Sequence, residues 1–327
     1  MFSTRHPRVQ AASGYGERMR IPESLRTPVP LIGAPMAGPS EGRLAHAVSI
    51  AGGLGMVGVA PNRSGDWIEQ EAAVAGAGGT PYGIGLLAWA LADAPYQLDA
   101  VLALGPELRP ALVSVSFGEY AEPVRRLREV GIATATQVGS IADLDAALEA
   151  GVDVVVARGA EGGGHGRNAM ATLPLLQLVL ERTELPVYAG GGILNHRGLA
   201  AVLAAGAAGA WVGTAFLGCV EAAGSPAAKA ALFAAERTGY GRVFDVAQEA
   251  AWPREYGGRA VANAYFDEWV GREDELDEPA RDRFRAAVSA GDFSVAHAYA
   301  GEGVSALTGE VTAADVVAEF ARALPVG

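Results

Sequence analysis

The chain has 327 residues, half of them hydrophobic and 19% charged, a globular composition rather than a disordered or fibrous one. Its formal charge of −12 at pH 7 argues against a nucleic-acid backbone or an anionic membrane surface as the main partner, since both are repelled. A single cysteine, Cys219, makes neither an internal disulfide nor a cysteine-cluster metal site, which fits a reducing, cytoplasmic setting.

Met1 to Arg20 carries arginines and polar residues but lacks the apolar core of a secretory signal, and residues 1–29 read as an N-terminal leader. From Pro30 onward, short continuous apolar runs alternate with amphipathic or alanine-rich segments, as expected of strands buried on both faces and their crossover helices. The predicted strands begin near Leu31, Leu54, Tyr82, Ala111, Ile132, Asp153, Pro186 and Ala210. Between them lie predicted helices over Glu41–Ala51, Asp66–Ala77, Tyr96–Leu104, Ala121–Val130, Ile141–Ala150, Leu173–Glu181 and His196–Ala205. Eight such units in one series predict an α/β fold, a (β/α)8 TIM barrel over residues 30–224, in preference to an open doubly wound sheet.

Five of the helices are followed by Gly52, Gly105, Gly131, Gly151 and Gly206, where a left-handed C-terminal cap is expected. Ser140 with Asp143 reads as an N-cap. The uncharged run Gly198–Val220 is long enough to cross a bilayer. Gly206, Gly209, Gly213 and Gly218 interrupt it, so it reads as a buried helix followed by a buried strand at Ala210–Val212. After Val220, aromatic and charged residues cluster. Residues 225–310 are expected to form a mostly helical addition, either a lid over the barrel mouth or a brace outside it. Residues 311–327 are expected to carry a closing helix, Thr312 to Leu324, capped by Thr312.

Barrels carry their chemistry at the C-terminal ends of the strands. The first strand ends in Gly33-Ala34-Pro35-Met36-Ala37-Gly38, small residues that let a flat ligand approach the backbone, with Met36 as a soft apolar surface. The sixth opens into Gly159-Ala160-Glu161-Gly162-Gly163-Gly164-His165, a glycine-bared loop presenting one imidazole. His6, His46, His196 and His297, in a tail or on helices, read as structural. The seventh and eighth strands end in Gly190-Gly191-Gly192 and Gly213-Thr214, each ahead of a helical stretch, the usual phosphate grip of barrels. There is no P-loop, His-Glu-x-x-His motif or cysteine pair, and no metal site is expected.

These stretches, together with Ala47 to Gly55, Val113 to Gly118 and Ala300-Gly-Glu-Gly303, resemble the FMN-dependent nitronate monooxygenase family, formerly the 2-nitropropane dioxygenases. The resemblance implies FMN held by Ala34, Pro35 and Met36 against the isoalloxazine, and by Gly163, Gly191, Gly192, Gly213 and Thr214, the last four around the phosphate. It implies His165 as the catalytic residue, abstracting the α-proton of a nitroalkane or holding the anionic nitronate. The implied activity is oxidation of a nitronate or nitroalkane with O2 to a carbonyl compound and nitrite or nitrate. Alternatives are an FMN-dependent NAD(P)H-using reductase, of enoyl-acyl-carrier-protein or quinone type, and a non-catalytic flavin-binding protein. The implied partners are a small-molecule substrate and O2, with a homodimer left open. Three positions depart from the family's pattern: Gly85 and Arg158 stand where an asparagine and a glutamine that touch the flavin are usual, and Glu302, where glutamine is common, lets the site carry a negative charge. Arg158 is expected to reach the flavin's pyrimidine end or to pair with Glu161. Trp252 and Tyr256 are candidates for the pocket wall, with a core role favoured for each.

Overall fold

A computed structural model describes residues 21–325, so the leader up to Arg20, His6 included, lies outside the described residues. Eight parallel strands form one sheet: β1 (Leu31–Gly33), β2 (Met56–Gly58), β3 (Gly83–Leu87), β4 (Leu112–Ser116), β5 (Ala133–Val138), β6 (Val154–Arg158), β8 (Val187–Gly190) and β9 (Gly209–Val212). A two-residue strand, β7 (Gly164–His165), stands outside it. The sheet runs in the order β1-β9-β8-β6-β5-β4-β3-β2 and closes between β2 and β1 at a parallel bridge, Ile32 to Leu54. There the Gly33 amide donates to the Leu54 carbonyl at 2.8 Å and the Leu54 amide to Leu31 at 2.9 Å. The result is a (β/α)8 barrel.

The crossovers hold helices α1 (Gly42–Ile50), α2 (Gly65–Ala75), α3 (Ala88–Leu91), α4 (Tyr96–Ala103), α5 (Ala121–Glu129), α6 (Ile141–Ala150), α7 (Thr172–Leu180) and α8 (His196–Ala204). Apart from the short α3, each lies within two residues of its predicted span. Ser140 caps α6, accepting from the Asp143 amide at 3.1 Å. Gly52, Gly131, Gly151 and Gly206 take the expected positive φ. Gly105 does not, with φ −61. The reason is Pro106, whose ring confines the preceding residue to extended backbone. The uncharged run after Gly198 divides into α8 and β9, and no helix among the described residues is long and apolar enough to cross a membrane.

Apolar side chains pack in two places, as layered α/β domains require. Ile32, Leu54, Met56, Leu112, Val154, Val156 and Trp211 fill the barrel interior, joined by Leu25, which is 2% exposed. Other alternate strand residues, such as Val113, Val155 and Val187, face the helices. Each fully buried side chain of this size contributes roughly 1.5–3 kcal/mol.

Past the barrel the regular structure is mainly helical: α9 (Pro226–Phe233), α10 (Val243–Ala247), α11 (Ala264–Trp269), α12 (Glu278–Ala290) and α13 (Ala313–Ala321). Phe244, Tyr265, Phe266 and Phe284 form a separate small core here. Two strands also appear, β10 (Thr238–Gly241) and β11 (Gly258–Val261), which glycine-rich sequence without apolar alternation did not reveal. They are antiparallel to each other, and β11 pairs with β7, setting Gly258 opposite His165 and Arg259 opposite Gly164. The addition is thereby joined to the loop after β6. Helix α13 opens on a full capping box at Thr312 and Asp315 and packs on the barrel's outer face, burying Val317 and Phe320 in the cluster that holds Val48 and Leu199.

Candidate active site

The loop after β6 is organised by Arg158. Its guanidinium is buried, and Nη2 donates to the carbonyls of Gly162 (2.7 Å), Gly163 (3.1 Å) and Gly164 (3.0 Å), while Nη1 donates to Arg167 (3.4 Å). Burial pushes its pKa down to about 10, which still leaves it charged near neutrality. Glu161 is not its hydrogen-bond partner: that carboxylate accepts from the Thr172 amide and hydroxyl, both at 2.7 Å. With the loop's carbonyls drawn inward to one cation, its amides are left to other partners.

Three further turns crowd against this loop. A Cβ on Gly163 would lie 2.4 Å from the Gly301 amide nitrogen, and one on Gly191 would lie 2.9 Å from the Gly162 nitrogen and 2.9 Å from Thr172 Oγ1. The Gly301 amide donates to Thr214 Oγ1 at 2.9 Å and the Glu302 amide to the Glu161 carbonyl at 3.0 Å, so residues 301–302 tie the loop after β6 to the turn after β9. A Cβ on Gly213 would lie 3.3 Å from Met36 Sδ and 3.5 Å from Ala34 Cβ, which brings in the turn after β1. Gly85 on β3 faces Pro35: a Cβ there would meet the proline ring carbons at 2.4 Å, so Pro35 takes the space a side chain at 85 would need. Among the described residues, the amides of Gly163, Gly191, Gly192 and Thr214 donate to no protein acceptor.

His165 stands in this loop with its ring enclosed. Nε2 lies 2.7 Å from Asp245 Oδ1 on α10. Trp252 stacks on the imidazole with ring centroids 3.6 Å apart and planes 3° from parallel, and the Tyr299 ring centroid is 5.0 Å away. The Tyr299 hydroxyl donates to the same Asp245 oxygen at 3.2 Å, and burial, with the carboxylate beside it, keeps that hydroxyl protonated. Trp252 continues into a wall built by Trp89 after β3, Phe117 after β4, and Tyr256. Phe117 takes φ +70, a strained conformation for a residue with a Cβ, and the Trp89 indole N–H is buried without an acceptor.

A nitronate monooxygenase family model matches residues 20–322. The chain belongs to this family. A nitronate monooxygenase of Paraburkholderia phytofirmans is 32% identical to it, covering 94% of this chain and 95% of that protein. One of Neurospora crassa is 30% identical over 91% of this chain and 89% of its own length. Among solved structures, the nitroalkane oxidase of Streptomyces ansochromogenes superposes with a TM-score of 0.76 at 30% identity, covering 91% of this chain and 97% of that one. FabK from Thermotoga maritima, TM-score 0.78 at 23% identity, shares the fold.

As a member of the nitronate monooxygenase family the chain is an oxidoreductase, and the family's flavin is the group its site must suit. The residues present fit one: four unbonded amides on three adjoining turns form a cradle in which glycine leaves no Cβ to obstruct an anion. The same structure shows what the sequence did not place in this site. Asp245, 80 residues beyond His165, and Tyr299 reach it only because β11 docks on β7. The one available signal was an aspartate set within the apolar run Val243-Phe244-Asp245-Val246. His297, read as lying on a helix, is in a loop. Helix α12 ends at the left-handed Gly291, six residues earlier, and the imidazole sits among Phe244, Phe284 and Tyr299.

Burial lowers the His297 pKa below its usual value, with Asp245 opposing the shift. The unfolded chain therefore binds this proton at higher pH than the folded one does. Stability from this group is complete above the unfolded pKa of about 6.5 and is lost as pH falls through the folded value. Urea unfolding midpoints are expected to fall from pH 7 to pH 5, and to fall less in His297→Leu. An equal fall in both proteins would remove His297 as a source.

Proposed function

We propose that the protein is an FMN enzyme that oxidises an alkyl nitronate, or the nitroalkane that yields it, with O2 to a carbonyl compound and nitrite or nitrate. The observation that carries this reading is one imidazole, His165, enclosed by aromatic rings beside a cradle of unbonded amides at the strand ends. The cradle suits the terminal phosphate of FMN: the amides of Gly191, Gly192 and Thr214 are unbonded donors, and the Thr214 hydroxyl, already accepting from Gly301, is free to donate. Ala34, Pro35 and Met36 form the apolar turn suited to the flat ring.

Bound flavin supplies the electron chemistry of the oxidation. The protein's part is to bind, to orient and to move a proton. His165 takes the acidic α-proton of a neutral nitroalkane, and in its protonated form attracts a nitronate already formed. Trp89, Phe117, Trp252 and Tyr256 keep bulk water from the imidazole. Arg158 serves the site by holding its loop.

The purified protein is expected to be yellow, to release FMN on denaturation, and to lose its visible absorbance on anaerobic mixing with propyl-2-nitronate, regaining it in air as acetone forms. Protein that binds no flavin would overturn this reading. So would flavin bleached by NADH or NADPH but not by nitronate, which would point to a reductase.

A further inference from the structure

We propose that Asp245 is a positioning residue that holds His165 as its Nε2–H tautomer and so makes Nδ1 the atom that takes the substrate proton. This rests on the activity proposed above but concerns a residue outside the barrel, brought to the imidazole by the addition.

Asp245 is 1% exposed, and its Oδ1 receives His165 Nε2 at 2.7 Å and the Tyr299 hydroxyl at 3.2 Å. An ionised carboxylate only accepts hydrogen bonds, so the nitrogen facing it must carry a hydrogen. A neutral imidazole has one N–H, so the lone pair falls to Nδ1. The ring has little freedom to turn over. Trp252 lies flat on one face, and Tyr299 stands at the side. Gly258, opposite His165 on β11, leaves room for the ring where a Cβ would lie 3.3 Å from Nε2 and 2.7 Å from the Tyr299 ring.

The other oxygen, Oδ2, is buried and has no partner. A buried carboxylate with one idle oxygen is costly unless a positive charge appears beside it. That charge appears during the proposed step. The α-carbon gives its proton to Nδ1, the electron pair stays on the substrate as its nitronate, and the imidazolium keeps its Nε2–H on Asp245, which remains ionised. Replacing the carboxylate by an amide removes the countercharge and weakens the tautomer preference, since the amide can present either its oxygen or its N–H to Nε2.

The test uses the flavin-loaded full chain labelled with 15N-histidine, with His165→Asn supplying the assignment. In the wild type at neutral pH, His165 Nε2 is expected to give the signal of a protonated nitrogen and Nδ1 that of an unprotonated one. An Nδ1–H tautomer in the wild type overturns the proposal without need of any Asp245 variant. In Asp245→Asn the tautomer preference is expected to weaken, and kcat with neutral 2-nitropropane to fall about 100-fold or more, the scale of a positioned general base. Turnover of preformed propyl-2-nitronate is expected to stay within about threefold of wild type, since no proton abstraction is then required. Equal losses on both substrates, or wild-type turnover of 2-nitropropane, would also overturn it. A wild type inert to both compounds defeats the proposed activity, whereas the tautomer spectrum is read independently of turnover.

Discussion

His165→Asn is expected to abolish most turnover of a neutral nitroalkane while leaving oxidation of the preformed nitronate nearly intact. Asparagine has much of the imidazole's flat shape, and its amide donates to Asp245 as Nε2 does, so the loop need not rearrange. It has no group that accepts a proton near neutrality. General base catalysis contributes on the order of 10²–10⁴-fold, and that factor is the expected loss in kcat/KM for 2-nitropropane, followed by oxygen uptake. With propyl-2-nitronate the carbon has already lost its proton, and the expected change in kcat/KM is no more than about threefold. Wild-type rates with both compounds would remove His165 from the mechanism. A matched collapse with both, in protein that keeps its flavin, would assign it to binding rather than proton transfer.

Gly191→Ala is expected to weaken flavin binding about tenfold or more while leaving the barrel folded. Gly191 has φ +101, a conformation that costs an L-residue roughly 1–2 kcal/mol. Its added methyl would also stand 2.9 Å from the Gly162 nitrogen and from Thr172 Oγ1, closer than ordinary contact. Relief requires the turn after β8 to move away from the loop after β6, which spreads the four unbonded amides. Because 1.4 kcal/mol is a factor of ten in affinity, the strain alone weakens flavin binding by about tenfold if it is released only by opening the cradle. Fluorescence titration of the stripped protein with FMN measures this, and far-ultraviolet circular dichroism checks the fold. Unchanged affinity would show that the turn after β8 holds no part of the cofactor.

Much of the site's frame was legible because it depends on local rules. His165 was picked out as an imidazole on a loop without side chains to bury it, and it does occupy the loop after β6. The glycine turns after β8 and β9 were legible for a related reason: they follow strands whose apolar runs announce where the barrel ends. Arg158 was harder. A terminal arginine on a buried strand suggested either a flavin contact or an ion pair with Glu161, and neither alternative foresaw a guanidinium spent on the carbonyls of its own loop. Side-chain identity gives a charge and a reach, but where that charge is neutralised depends on which backbone groups the fold leaves unpaired. Gly85 makes the same point, since the ring that fills its missing side chain's space belongs to Pro35, on another strand's loop.

What the sequence by itself determined is the barrel. Its eight strands and their main crossover helices are set by apolar periodicity, by caps such as Ser140 and by chain-reversing glycines, all interactions among residues near one another in the chain. What only the tertiary structure decided is the environment of the imidazole. Asp245, Trp252 and Tyr299 reach His165 through a three-strand patch made of β7, β10 and β11, two of them glycine-rich and too short to show a pattern. Strand pairing is a contact between backbones, and backbones carry no sequence signature of their partner. A carboxylate 80 residues away thus meets the histidine through a register that folding selects as a whole.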